Sequence, residues 1–224
     1  MATTLPALAI SVNEHIYLKD PNSSPLGMRI IEGSIDMIAT MGFEAFTFKK
    51  LATQVGTTEA SIYRYFESKH KLLLYLASWY WAWMEIRLAF ALANVDDPHV
   101  RLHKAIGLLA GEIGQDLNYE HIDESKLNEI IVAESSKVYL TKDVDKENQE
   151  GVFLGYKQLV ETVSEIILEI NPNFKYPHML VSTIIEGAHH QRFFTEHLPR
   201  LTDRIEGEDA IVDFYLDLVQ KAIR

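Results

Sequence analysis

Hydrophobic positions along this chain recur mostly at spacings of three and four residues, the period of a helix with one buried face. Ile31, Ile35 and Ile38 share such a face, with Arg29, Glu32 and Asp36 on the other. Ser24 followed by Pro25 reads as the N-cap and first residue of that helix, and Gly42 ends it near Met41. Thr47 caps a second stretch in which Phe48, Leu51, Ala52 and Val55 form the apolar stripe, while Lys49, Lys50 and Thr53 point away. Gly56 makes a turn, and Thr57 or Thr58 caps a third helix to about Phe66. Its Ile62 and Phe66 face the core, and Glu59, Ser61 and Arg64 face outward. Ser68 caps a long fourth helix, 69–93. Five more helices follow at roughly 98–115, 124–140, 144–170, 177–198 and 207–223, with breaks at Asp96-Asp97-Pro98, Asn118 to Asp123, Asn171-Pro172-Asn173 and Pro199 to Gly207. The two-residue alternation of strands does not persist outside AISVNEHIYL at 9–18, which suits a short strand or an added helical turn. The pattern predicts an all-α chain with an N-terminal arm at 1–25.

Composition changes this picture little, but charge does. Hydrophobic content of 47% and charged content of 24% are ordinary for a globular protein. No cysteine is present, which excludes disulfides and thiol catalysis and fits a cytoplasmic setting. MATTLPALAISVNEH lacks a basic n-region and a long apolar run, so no signal peptide is expected, and no stretch reaches the length of a membrane span. Residues 1–75 hold seven lysines and arginines against seven acids, so the whole net charge of −11 falls on 76–224. Within 47–71, Lys49, Lys50, Arg64, Lys69 and Lys71 outweigh Glu59 and Glu67. A helix, a glycine turn and a second short helix carrying local positive charge can present that helix to a DNA major groove, while the acidic remainder helps aim the basic end.

Catalytic signatures are absent: there is no HExxH, GxSxG, P-loop or dinucleotide fingerprint. His99 and His103 have a metal-compatible spacing, but no third ligand stands at an obvious position, so no metal and no cofactor is expected. Glu186 and His190 are spaced as an acid–base pair, a pairing common on exposed helices. The chain is read as a non-enzyme.

Gly42-Phe43, Thr47, Leu51-Ala52, Val55-Gly56-Thr57, Ile62-Tyr63-Arg64-Tyr65-Phe66, Ser68-Lys69 and Leu72-Leu73 together resemble the DNA-binding domain of the TetR family of bacterial transcription regulators. The likeness covers about 26–75. Ala60 stands where the family often has glycine or proline. The resemblance implies a helix-turn-helix domain over 26–75, joined by the long fourth helix to a helical ligand-binding and dimerisation domain over 76–224. It implies phosphate contacts from Thr47, Lys49, Tyr63, Tyr65 and Lys69, and base readout by Glu59, Ala60, Ser61 and Arg64. Hydroxyls and helix starts suit phosphate, and arginine can fork onto guanine.

The resemblance further implies a homodimer on a pseudo-palindromic operator, with an interface on the last two helices at Ile184, Ile211, Phe214, Tyr215 and Leu218. It implies a small apolar or amphipathic effector, for which the candidates are Trp79, Trp83, Phe90, His103, Phe153, Tyr156, His189, His190 and Phe193. Each of these aromatics equally suits a filled core. Trp79 and Trp83 share a helix face, and Trp81 lies roughly opposite. The expected function is a repressor released by its ligand. Two other readings stay open: a ligand-free regulator under a protein partner, and a helical carrier or enzyme with a vestigial DNA-binding domain.

Overall fold

Among the described residues of the N-terminal third, each α-helix start is capped by a hydroxyl that its sequence offers. The structure is a computed structural model that describes residues 10–116, 119 and 121–224. Among them the chain forms ten α-helices: α1 (Pro25–Ala45), α2 (Phe48–Val55), α3 (Glu59–Tyr63), α4 (Lys69–Leu92), α5 (Pro98–Ala110), α6 (Glu124–Tyr139), α7 (Val144–Gln149), α8 (Leu154–Ile170), α9 (Pro177–His197) and α10 (Ala210–Ala222). The Ser24, Thr47 and Thr58 hydroxyls accept from the amides of Gly27, Lys50 and Ser61. Ser68 accepts from Lys71 at 3.2 Å, and Asp97, Asp123 and Asp209 cap α5, α6 and α10 in the same way.

The all-α expectation holds, and the differences have local causes. The helix expected over 144–170 is two, because Gly151 takes a φ of 81° and turns the chain between α7 and α8. The helix expected to run to 115 stops at Ala110, where Gly111 is extended. The last helix starts at Ala210, not 207, because Asp209 is the residue that caps it. Gly42, at φ 77°, interrupts α1 where its helix was expected to end, and one further turn follows. Among its described residues before α1 the arm is neither strand nor α-helix; it makes two 3-10 turns, Glu14–Ile16 and Pro21–Ser23. Residues 1–9 of the arm, and Leu117, Asn118 and Glu120 in the break before α6, lie outside the described residues.

The chain divides into two compact units. The first comprises Met1–Trp83 and Ile113–Leu154, so α6 and α7 pack with the helices of the expected DNA-reading domain. Its core is built from Ile30, Ile31, Ile35, Leu51, Ile62, Phe66 and the near-continuous buried run Leu72–Ala77 and Trp79–Trp81 of α4, closed by Leu127, Ile131 and Val138 of α6. A helix apolar on nearly all sides must be surrounded, which is why α4 is central here. The tryptophans separate as their spacing demands. Trp79 and Trp83 stack at 6.2 Å, and Trp83 donates to Asp116. Trp81 points elsewhere and donates to the Tyr139 hydroxyl on α6.

Polar contacts from α6 and α7 grip the N-terminal helices within this unit. Lys126 reaches Asp36 of α1 at 2.6 Å. The buried Glu134 accepts from the Phe43 amide at 3.2 Å, just past the Gly42 break, and its other oxygen pairs with Lys137. The buried Glu147 meets His70 at 2.8 Å, at the start of α4.

The second unit comprises Met84–Glu112 and Gly155–Arg224. Leu102, Ile106, Leu159, Val163, Ile167, Val181, Ile185 and Val219 are among its buried residues. Arg192 of α9 donates twice to the Ala110 carbonyl at the end of α5 and once to Asp209 at the start of α10. One guanidinium thus ties three helices together.

Candidate nucleic-acid interface

The helix-turn-helix is assembled from α2, the Gly56 turn and α3. Gly56 is left-handed at φ 67°, a conformation that costs other residues, and its amide returns to the Ala52 carbonyl. α3 is only five residues long, but Ile62 and Phe66 are fully buried and hold it against the core. The Tyr65 and Phe66 amides both reach back to the Ile62 carbonyl, which ends the helix earlier than the expected Phe66.

What remains outward is a narrow polar face. Lys49, Ala60 and Arg64 are exposed, as is Thr47, whose hydroxyl is engaged by the Lys50 amide at 3.3 Å. Glu59 and Ser61 are half-buried, and Ser61 shares a 2.8 Å hydroxyl contact with Thr58. Tyr63 is 47% exposed, its ring set edge-on against Phe48 at 5.0 Å, so its hydroxyl is held out on a fixed platform.

Two residues that the resemblance puts on phosphate are instead engaged inside the chain. Lys69 turns its ammonium onto the carbonyls of Phe43, Glu44 and Phe46, at 3.0 to 3.5 Å, and over the Phe43 ring at 4.6 Å. Those carbonyls end the last turn of α1, and a cation there satisfies acceptors that the helix leaves open. Tyr65 is 4% exposed. Its hydroxyl lies 2.7 Å from that of Ser24 and 3.3 Å from the Lys19 ammonium. The Ser24 hydrogen bond, aided by Lys19 and Arg64, holds this phenol below the ordinary tyrosine range despite burial. Lys19 and Ser24 are residues that sequence reasoning gave no site role. A lone arm lysine has no periodicity to mark it; only the tertiary contact does.

The effector candidates divide between the units. Trp79 and Trp83 are buried in the first, where half-buried Phe153 lies 5.8 Å from Tyr139. In the second, Phe90 and His103 are exposed, and Tyr156 donates to Glu186 at 3.0 Å. His190 stacks on Phe194 at 6.1 Å and Phe193 lies against His197 at 4.4 Å. His189 is half-buried; burial, with His190 adding to it, pushes its pKa down to about 4, which keeps it neutral. A cavity of about 330 Å³ opens between α9 and α10, bordered by Gln191, Arg200, Ile211 and Phe214 rather than by the aromatic candidates. Of the expected dimer stripe, Ile184, Ile211 and Tyr215 are buried in the chain's own core, Leu218 is half-buried, and Phe214 is 56% exposed. Among the described residues no group of three potential metal ligands gathers, and no helix is long and apolar enough to cross a membrane.

Residues 30–76 match the model of a family described as bacterial regulatory proteins, tetR family. No curated protein matches the chain. Among solved structures it is similar to the superantigen PfiT (18% identity, 91% of this chain and 98% of that one, TM-score 0.57). It is similar to AibR in complex with isovaleryl coenzyme A and operator DNA (15% identity, 87% and 96%, TM-score 0.57). It is also similar to a transcriptional regulator from Saccharomonospora viridis in complex with choline (19% identity, 86% and 92%, TM-score 0.55). At these identities the likeness is one of fold. The resemblance read from 26–75 is borne out by the family match over nearly the same residues.

Proposed function

We propose that this chain, a transcription regulator of the TetR type, is a dimeric repressor that reads a pseudo-palindromic operator and lets go when a small molecule binds. The observation that carries the DNA half is the outward face of α2 and α3. Lys49 and Arg64 stand exposed on a correctly capped helix-turn-helix whose glycine turn and buried anchors are all in place. Lys49, Thr47 and Tyr63 supply phosphate contacts, and Arg64, with Glu59, Ala60 and Ser61 beside it, faces the bases. Two copies related by a dyad place the reading helices about 34–36 Å apart, or a multiple of this. Exposed Phe214, continuous with half-buried Leu218, supports a dimer face on α10.

The effector half rests on the second unit. There α9 sets Glu186 and a neutral His189 one turn apart, and Tyr156 already bonds Glu186, a polar set suited to fixing a ligand. Fold neighbours described with isovaleryl coenzyme A and choline support a ligand in this architecture. Ligand binding shifts the population toward a spacing of reading helices that does not fit the operator. A cytoplasmic location follows from this role.

The test is selection of bound sequences from a random duplex library, followed by a salt titration on the best site. The expected result is a pseudo-palindrome whose log affinity falls steeply with log salt. A failure to enrich any sequence over bulk DNA would overturn the reading.

A further inference from the structure

The arm ends beside the helix-turn-helix, and it brings a cation with it. The Leu18 amide donates to the Tyr65 carbonyl at 2.7 Å. The Lys19 ammonium reaches the Tyr65 hydroxyl at 3.3 Å and lies over that ring at 4.9 Å. Tyr65 directly follows Arg64, and both Arg64 and Lys19 act on its hydroxyl electrostatically. The Ser24 hydroxyl, at the start of α1, completes the cluster at 2.7 Å. The Lys19 ammonium and two hydroxyls therefore meet just past the end of α3. Asp20, the acid that follows Lys19 in the chain, accepts from the Asn22 amide at 2.8 Å, where it caps the second 3-10 turn.

The two lysines here differ in what they have left to give. An ammonium carries three donors. Lys69 directs its own to three backbone carbonyls. Lys19 is exposed and, among the described residues, has one acceptor, the Tyr65 hydroxyl.

We propose that Lys19, in the N-terminal arm, is a DNA phosphate contact of this protein and supplies the charge that the inward-turned Lys69 does not. Tyr65 is then the positioning residue: its buried ring and hydroxyl fix the arm and carry the Lys19 ammonium to the end of the reading helix. The proposal rests on the reading of α2 and α3 as the DNA-binding face.

The experiment is fluorescence anisotropy of the full chain on a labelled random-sequence duplex, titrated from roughly 50 to 200 mM salt. Lys19→Met should weaken binding and flatten the log–log salt slope by about 0.9 per protomer, the share of one phosphate contact. Lys19→Arg should restore the slope, and Lys69→Met should leave it unchanged. If Lys19→Met leaves affinity and slope unchanged while Lys49→Met lowers both, the arm contact is wrong and the reading head stands. If Lys49→Met and Arg64→Met also change nothing, the DNA-binding reading falls with it. A loss equal at every salt concentration, not rescued by arginine, would show that Lys19 only holds Tyr65 in place and would overturn the phosphate role.

Discussion

Gly187 of α9 sits where a methyl group would collide with its neighbour on α10. A Cβ built there lies 2.2 Å from the Tyr215 hydroxyl oxygen and 3.1 Å from the ring carbon that bears it. The first distance is more than 1 Å short of ordinary van der Waals contact. Tyr215 is 5% exposed and its ring is rigid, so relief requires α10 to shift or the ring to leave its rotamer. Overpacking of this kind costs about 1–3 kcal/mol. Alanine is also the better helix former, by about 0.5–1 kcal/mol. The steric effect wins, and Gly187→Ala should be destabilised by about 0.5–2 kcal/mol in urea unfolding at fixed protomer concentration. Tyr215→Phe deletes the colliding atom. Gly187→Ala in that background should therefore recover most of its loss, with a coupling energy of about 1 kcal/mol in the double-mutant cycle. A Gly187→Ala protein that gains stability by the helix-propensity amount would refute the argument, since Tyr215 would then not be locked against α9.

Other consequences can be checked directly. Lys69→Ala should lower the urea midpoint, corresponding to about 1–2 kcal/mol, because the carbonyls at the end of α1 lose their cation; an unchanged midpoint would mean that the inward ammonium is incidental. Arg64→Ala should relax sequence preference at one base pair per half-site by about 1–3 kcal/mol, read by repeating the library selection, whereas Tyr63→Phe should weaken binding about equally on all sequences. Folding holds His189 neutral at about 4, and the unfolded chain takes up that proton near its ordinary value of about 6.5. This stability is complete above the unfolded value. It should fall as pH drops from about 6.5 toward 4, by about 2 kcal/mol once partial solvent access is allowed for. His189→Gln should flatten that part of a stability–pH profile, and an identical slope in the variant would count against the buried-imidazole assignment.

Much of the fold was legible in the chain because it is decided within a few residues. A hydroxyl two or three positions ahead of an orphan amide, a glycine that alone tolerates positive φ, and an apolar stripe at helical spacing are all local matters. Ser24, Thr47, Gly42 and Gly56 accordingly do what the sequence says. The same locality marks the stretch 30–76 that matches the family model, where caps, turn and charge coincide. Gly151 carried the same kind of signal, but it sits inside a long run with helical patterning, and only its backbone angle shows the break.

What tertiary structure alone decided is where long polar side chains end. Lys69 and Lys19 look alike in sequence, yet one is drawn into the carbonyls at the end of α1 and the other is carried by the arm to Tyr65. No spacing rule reports this, because each partner lies more than twenty residues away. The same holds for Glu134 on the Phe43 amide, Glu147 on His70, and the burial of Ile184 and Tyr215 while Phe214 is the exposed aromatic of α10. Local hydrogen bonding and periodicity determine helices from sequence; the destination of a charge is set by which distant backbone or carboxylate the packed helices bring within reach.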